Sequence, residues 1–594
     1  MASHHFSCCG LLSWFLFSLF LLIQGTPSQA YELVPAYRVL QFDYKQHPYG
    51  SRRAHIAHHA TLASAGARAR RAVVIVPLAE ARLPLVTRLL SNVTNAAGMV
   101  VVLPANDFDE GSAGTPQARE LERYLMTSTR VPVYFARETD GLTRVQQDLK
   151  SWIAQGNAPT SVSGGWHAVV GKGEPRKIKP PPSLTNFQGL LHGGVPPSTS
   201  EESSAAGGVI LVVASYDAFG AAQALAQGSI SAAAALVELA RLFQKLYAEH
   251  SHKPSTSIAF VLAAGGHLNF VGSRAWLASA DTKLLNAVSF ALCLDNLLID
   301  PLSAADDEGP GKLFLHSARP PDDASVEPLY TRFKAAGELS DVSVSTVHKR
   351  VNVSAPTAAW EHELFSRRRM AAATLSARST PPPFLSRASI FDRGEASTNA
   401  TALAGVVRTV AEALARHVLA VDGVKVSATE SLVGDVSIPN LTHWMKMLGR
   451  VPRVAPFASL AESRATKAME KVKSAVDRNA KLAAEAAAAA ESNHSGVQPA
   501  LSKAMRDYTS EAKSMDFELP RDWSFYTHAE ELELRLYRTA SVGFDVALLA
   551  GVLAYLGALY VALKAYTYGW SGVVEALSGD KRRPSAAAKG GKRR

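Results

Sequence analysis

Apolar, β-branched runs punctuate the first third of the chain: Val73 to Pro77, Met99 to Leu103 and Val131 to Phe135. Arg82 to Leu90 carries apolar residues at helical spacing between the first two. This rhythm predicts βα units, and Trp166 to Val170 adds a further short strand. Gly208 to Ser215 is continuously apolar, as a strand buried on both faces of a parallel sheet should be. Ala232 to Leu246 is a helix with Leu236, Leu239, Leu242, Phe243 and Leu246 on one side. Ile258 to Ala263 and Val288 to Leu294 read as two more buried strands, with Trp276 in a helix between them. Phe314 to Ser317 and Val342 to Val347 extend the series. Strands separated by helices imply an α/β fold with a mostly parallel, helix-covered sheet.

The pattern also sets boundaries. A small N-terminal α/β region covers 31–178. A polar loop follows over 179–207, where Lys179 to Ser183, Pro196, Pro197 and a Ser/Ala/Gly run give nothing to pack. The sheet domain takes 208–425. From 426 to 538 the texture is that of a helical stalk, with Leu482 to Ser492 almost pure alanine broken by glutamate. Residues 542–563 are apolar except for Asp545, long enough to cross the roughly 30 Å hydrocarbon layer as a helix. At the start, Leu11 to Ile23 is charge-free, and Ser28 and Ala30 follow, so 1–30 is expected to be a signal peptide.

Charge then fixes orientation. The chain of 594 residues carries a formal +10, and the tail 564–594 holds eight Lys or Arg against Glu575 and Asp580. Such a tail is expected in the cytosol, with the bulk of the chain lumenal as a single-pass type I membrane protein. The same asymmetry excludes a nucleic-acid reading of the basic pI, because the rest of the chain is nearly balanced. Cys8 and Cys9 leave with the signal peptide, so Cys293 alone remains and no intrachain disulfide forms. Sequons at Asn92, Asn352, Asn399, Asn440 and Asn493 all fall on the predicted lumenal side as glycosylation candidates. Within the span, Ala550, Ala554, Ala558 and Ala562 recur every four residues, and Ala547 with Gly551 forms a second small pair. Both are candidates for close helix packing.

Two segments carry a resemblance. SYDAFG from Ser215 and GSRAW from Gly272 resemble the M28 zinc aminopeptidases, which place His-x-Asp at a strand end, an acid on the next loop, Glu-Glu before Gly-Ser, then an Asp and a late His. More closely, the chain resembles the nicalin family, membrane-anchored relatives of nicastrin. PYGSR from Pro48, VPVYFA from Val131, VELARLF from Val237, VHKRVN from Val347, AWEHELF from Ala359 and YLGALYVAL from Tyr555 carry this likeness.

The resemblance can be read position by position. A two-zinc hydrolase needs about three protein ligands per ion, a bridging carboxylate and a base. Where the M28 pattern has its first His stands Ser215; Asp217 survives. No acid occurs from Gln223 to Ala235. Gly266 and His267 replace the Glu-Glu pair, Asp295 matches the later acidic ligand, and no His occurs from Thr374 to Ser389. The vestigial set therefore predicts no cofactor and no catalysis. A rebuilt single-metal site on His267, Asp217 and Asp295 is the enzymatic alternative, and a nicastrin-like substrate receptor is another. His348 and His362 read as structural histidines, and Cys293 as a buried small hydrophobe.

For the nicalin family the resemblance implies a non-catalytic subunit of an endoplasmic-reticulum membrane complex. Its implied partners are a large nodal modulator-like lumenal protein, a small multi-pass membrane protein, and the Sec translocon with its ribosome. The implied role is aiding the biogenesis of multi-pass membrane proteins.

Overall fold

The computed structural model describes residues 31–578 apart from 66–70, 92–95, 106–115, 156–164, 195–207, 223–229, 250–252, 299–311, 391–399, 422–430 and 451–496, and single positions 172, 325, 385, 386, 388, 530, 540 and 541. The signal-peptide expectation, the sequons Asn92, Asn399 and Asn493, and the alanine-rich run at 482–492 lie outside the described residues.

Strand β1 (Tyr31–Arg38) alternates as a strand with one wet face: Val34 and Ala36 are buried, while Tyr31 and Leu33 face outward. Its partner comes from the far end of the chain. β18 (Glu531–Thr539) runs antiparallel to it, from Tyr537 opposite Tyr31 to Glu531 opposite Tyr37. With β8 (Gly165–Val170), β4 (Ile56–Leu62), β5 (Val73–Pro77), β6 (Gly98–Leu103) and β7 (Val133–Arg137), these strands close a barrel in the order β1-β18-β8-β4-β5-β6-β7. Closure leaves no edge. Its interior holds Val34, Ile56, Val100, Tyr134 and Leu534, together with Leu142, Val145 and Leu149 of the helix Asp140–Ala154. The outer faces of β5 to β7, through Val74, Val101 and Phe135, join the main core instead. Burial on both sides explains why these strands read as unbroken apolar runs.

The second unit is an eight-stranded sheet in the order β14 (Ser343–His348), β13 (Lys312–Ser317), β15 (Ala372–Ser376), β12 (Val288–Leu294), β10 (Val209–Ser215), β11 (Ser257–Ala263), β9 (Ser183–Leu191), β16 (Glu511–Glu518). Four of its pairings are parallel, β14 with β13, β15 with β12, β12 with β10 and β10 with β11. Helices Ile230–Glu249 and Ala400–Val421 cover one face, and Val271–Ser279 with His362–Ser366 the other.

Two sequence expectations are corrected here. The polar loop at 179–207 contains β9, which is paired on both sides. Its polar side chains are buried but satisfied: Asn186 accepts the Ala264 N–H at 2.9 Å and donates to the Gly272 carbonyl at 2.9 Å, and Gln188 accepts the Trp276 indole N–H at 2.8 Å. Polarity hid a strand because its partners are remote. The helical stalk at 426–538 is helical over Ile438–Arg450 and Val497–Tyr508, but β16, β17 (Trp523–Phe525) and β18 occupy its last third. The N-terminal region 31–178 is correspondingly incomplete without β18.

β17 pairs with β2 (Phe42–Tyr44), which pairs with β3 (His47–Tyr49), and their rings weld the two units. Phe42 lies 4.9 Å from Tyr49 and 5.2 Å from Phe219. The PYGSR motif belongs to this weld. Gly50 has φ +75°, and a Cβ there would sit 1.8 Å from the Leu40 carbonyl oxygen, so only glycine fits. Arg38, 1% exposed, donates to the carbonyls of Ser51 at 2.6 Å, Thr527 at 2.8 Å and His528 at 3.0 Å.

After β18 a helix runs over Val542–Ser578, and Leu548–Tyr566 is apolar and exposed along the length needed to cross a membrane. The helix continues past Lys564 into what the sequence marks as tail. Replacing Arg38 with Met strands three buried carbonyls, which should cost at least about 3 kcal/mol. The thermal unfolding midpoint of the detergent-solubilised chain measures this loss; an unchanged midpoint would contradict it.

Candidate functional site

Strands β10 and β12 end side by side at the carboxyl edge of the parallel core, where open α/β sheets place their sites. Ser215, Gly266, His267 and Asp295 line one cavity there, and Asp217 lies against it. The structure thus gathers all five residues singled out by motif.

Three of them are engaged by hydrogen bonds of the fold. Asp217 is buried, and its Oδ2 and Oδ1 accept the backbone N–H groups of Gly265 at 2.9 Å and Gly266 at 3.1 Å. His267 Nε2 lies 3.0 Å from the Asp217 carbonyl oxygen. A carbonyl only accepts, so this nitrogen carries the proton and its lone pair is unavailable to a metal. Asp295, half-buried, accepts from Ser376 Oγ at 3.2 Å. Gly266 packs so closely that a Cβ would fall 2.0 Å from Ser215 Oγ. No carboxylate stands where the M28 pattern has its Glu-Glu pair, and Ser215 fills the space beside Gly266.

Two further residues dominate the cavity, and sequence reasoning missed both. Arg387 is almost wholly buried with its guanidinium 4.4 Å from the Phe270 ring centroid. Its Nη2 donates to the carbonyls of Ala358 at 3.1 Å and Ala359 at 2.6 Å. Burial pushes its pKa down, and the charges of Asp295 and Glu361 oppose that shift. Glu361 accepts from Ser273 Oγ. Burial raises its carboxyl from 4.5 to about 7, against the Ser273 hydrogen bond, while Asp295 raises it further. A signal existed in each case. Glu361 sits in the AWEHELF segment, and Arg387 falls within the window Thr374 to Ser389 where the M28 pattern expects its last His.

The cavity offers about 10 Å³, near the roughly 10–15 Å³ that one water needs. It cannot admit a peptide. Among the described residues no three His, Cys, Asp or Glu side chains converge to hold an ion. A cocatalytic zinc pair does not fit this donor set, because a buried guanidinium occupies the cavity lining, Asp217 is held by amides and His267 has only its Nδ1 lone pair to offer an ion.

The remaining candidates fall elsewhere. His362 is buried, its Nδ1 lies 2.9 Å from Thr374 Oγ1, and burial lowers its pKa to about 3, so it is a neutral structural group. His348 is exposed at the end of β14. Cys293 is fully buried, and desolvation holds its thiol pKa well above the ordinary value. Asn352 is exposed, whereas Asn440 Nδ2 donates at 2.6 Å to the buried carboxylate of Glu238. Ala550, Gly551, Ala554, Ala558 and Ala562 are exposed on the apolar helix, and Ala547 belongs to the same helix.

No family model matches the chain. BOS complex subunit NCLN of Gallus gallus is 30% identical over 409 residues, covering 65% of this chain and 68% of that protein. The chain belongs to the nicalin family. BOS complex subunit ncln of Danio rerio is 28% identical over 573 residues, 89% of this chain and 90% of that protein. The fold likeness extends to the crystal structure of the γ-secretase component nicastrin, with a TM-score of 0.51 at 10% identity over 85% of this chain and 98% of that one.

Two outcomes test the site. Between about pH 4.5 and 7 the folded protein holds a proton on Glu361 that the unfolded chain releases, so this group makes stability fall as pH rises. Glu361→Gln should flatten that slope, which is worth up to about 3 kcal/mol, in unfolding midpoints measured from pH 4.5 to 7.5. Arg387→Met leaves the Ala358 and Ala359 carbonyls without their donor, and should destabilise the fold by about 1–3 kcal/mol in the same assay at pH 7.5.

Proposed function

We propose that this chain is a non-catalytic binding subunit of a membrane complex; its relatives are named subunits of the BOS complex. The observation that carries the reading is Arg387: where a metallohydrolase needs cations with open coordination positions, this fold seats a guanidinium that can neither ligate nor activate water. The reading is supported by similarity along nine-tenths of the zebrafish relative, and by the apolar helix at Leu548–Tyr566.

In the finer form of the proposal, the span lies in the endoplasmic-reticulum membrane, with the barrel and sheet units in the lumen and the basic tail in the cytosol. The partners are a nodal modulator-like lumenal protein and a small multi-pass membrane protein. The complex works beside the Sec translocon in the biogenesis of multi-pass membrane proteins. Affinity purification of the tagged full chain from mild-detergent membranes, with mass spectrometry of co-purifying chains, tests this directly. Stoichiometric membrane-protein partners are expected, and a strictly monomeric, unaccompanied chain would sink the proposal. Stoichiometric zinc with chelator-sensitive peptidase activity in the same preparation would equally overturn it.

Lumenal placement carries its own check. Asn352 is accessible to a glycan, whereas a glycan at Asn440 would break its bond to Glu238. Asn352→Gln should therefore speed gel migration by one glycan, and peptide mapping of the native protein should show Asn440 unmodified.

A further inference from the structure

At one end of the barrel a cleft of about 980 Å³ opens between the start of β4 and the strand starts of β6 and β7. That is the upper end of the roughly 300–1,000 Å³ common for ligand sites. Arg53, Arg71 and Arg130 line it against a single acid, Glu174. His55 joins them with Nδ1 3.1 Å from the Gly171 carbonyl oxygen, and Tyr124 adds an aromatic wall. All three arginines are exposed, and among the described residues none of their guanidiniums makes an ion pair or hydrogen bond. The neighbouring Arg52 differs, pairing with Asp43 at 2.8 Å. Three uncommitted guanidiniums converging on one concavity create a field that an ordinary mixed-charge surface does not.

The register of the barrel decides what kind of anion fits. The chain leaves for the apolar helix at Thr539, opposite Gly165 on β8, whereas the cleft lies beyond the other end of β8, past Val170 opposite Leu534. Five residues at about 3.4 Å each separate those ends by about 17 Å. At physiological salt, charge is screened over about 8 Å, so headgroups beside the span are out of electrostatic reach. The lining is mostly polar, which disfavours an apolar helix or small hydrophobic ligand.

We propose that this cleft docks an extended, acidic protein segment, its carboxylates forked by Arg53, Arg71 and Arg130. The inference rests on the reading of the chain as a binding subunit, and supplies one surface for it.

The test uses the detergent-solubilised full chain and a fluorescein-labelled decapeptide of alternating Asp and Glu, read by fluorescence anisotropy. Saturable binding that weakens with salt is expected, with no binding of the Asn/Gln decapeptide. Arg53→Glu, Arg71→Glu and Arg130→Glu together should weaken it at least about tenfold while leaving the thermal midpoint unchanged, because the replaced groups are exposed. Flotation with phosphatidylserine vesicles and competition by inorganic phosphate form the other arms. Peptide binding that ignores the triple substitution overturns the proposal. So does substitution-sensitive capture by vesicles, or by phosphate alone, without peptide binding. Partner co-purification is scored separately: partners retained without peptide binding fail this inference alone, whereas peptide binding by an unaccompanied chain fails the subunit reading and leaves the cleft intact.

Discussion

The two ends of the folded chain are held together by one strand pairing. β1 begins at Tyr31 and β18 ends at Thr539, and their antiparallel ladder closes the barrel. Apart from the C-terminal helix Val542–Ser578, every other described element, including the whole eight-stranded sheet, is inserted between these strands. Loop-closure entropy grows only logarithmically with length, at about 0.6 kcal/mol per doubling, so the length of the insertion adds little to the cost of this pairing. Arg38 locks the arrangement by tying the end of β1 to the carbonyls of Thr527 and His528. Only two residues of sequence separate β18 from the apolar helix.

That scaffold holds a cleft at the carboxyl ends of β10 and β12 whose electrostatics have been settled internally. Carboxylates gathered in a poorly solvated place need positive charge nearby. A metal ion answers that need and also offers coordination positions for substrate. A guanidinium answers it and offers none. Arg387 is held by the carbonyls of Ala358 and Ala359 and by the ring of Phe270. Buried charge networks of this kind specify one arrangement more than they stabilise it. The cleft keeps the geometry of a site while serving the packing of the strands that end there.

The cavity is too small for a peptide, whereas the cleft at one end of the barrel is open and lined by Arg53, Arg71 and Arg130. The outer faces of β5, β6 and β7 are buried in the main core, so the barrel cannot turn against the sheet unit. Glu122 strengthens the joint by accepting the N–H groups of Ala221 at 3.0 Å and Ile390 at 3.1 Å across the two units.

The sequence alone determined the elements whose burial is two-sided or whose periodicity is local. β5, β6, β10, β11 and β12 and the helix Ile230–Glu249 were legible because their own side chains record their surroundings, and the apolar length of the span needed no partner to be recognised. Motif spacing likewise picked out Ser215, Asp217, Gly266, His267 and Asp295, which do meet. Tertiary structure decided the rest. β9 looks polar because its buried Asn186 and Gln188 are satisfied by the Ala264 and Gly272 backbone and the Trp276 indole, β16 looks polar because it is an edge strand with no buried residue, and β18 looks like stalk because its partners lie hundreds of residues away. Arg387 and Glu361 carried no local mark of their meeting, since the attraction between a cation and a carboxylate depends on distance in space, which the order of residues does not contain.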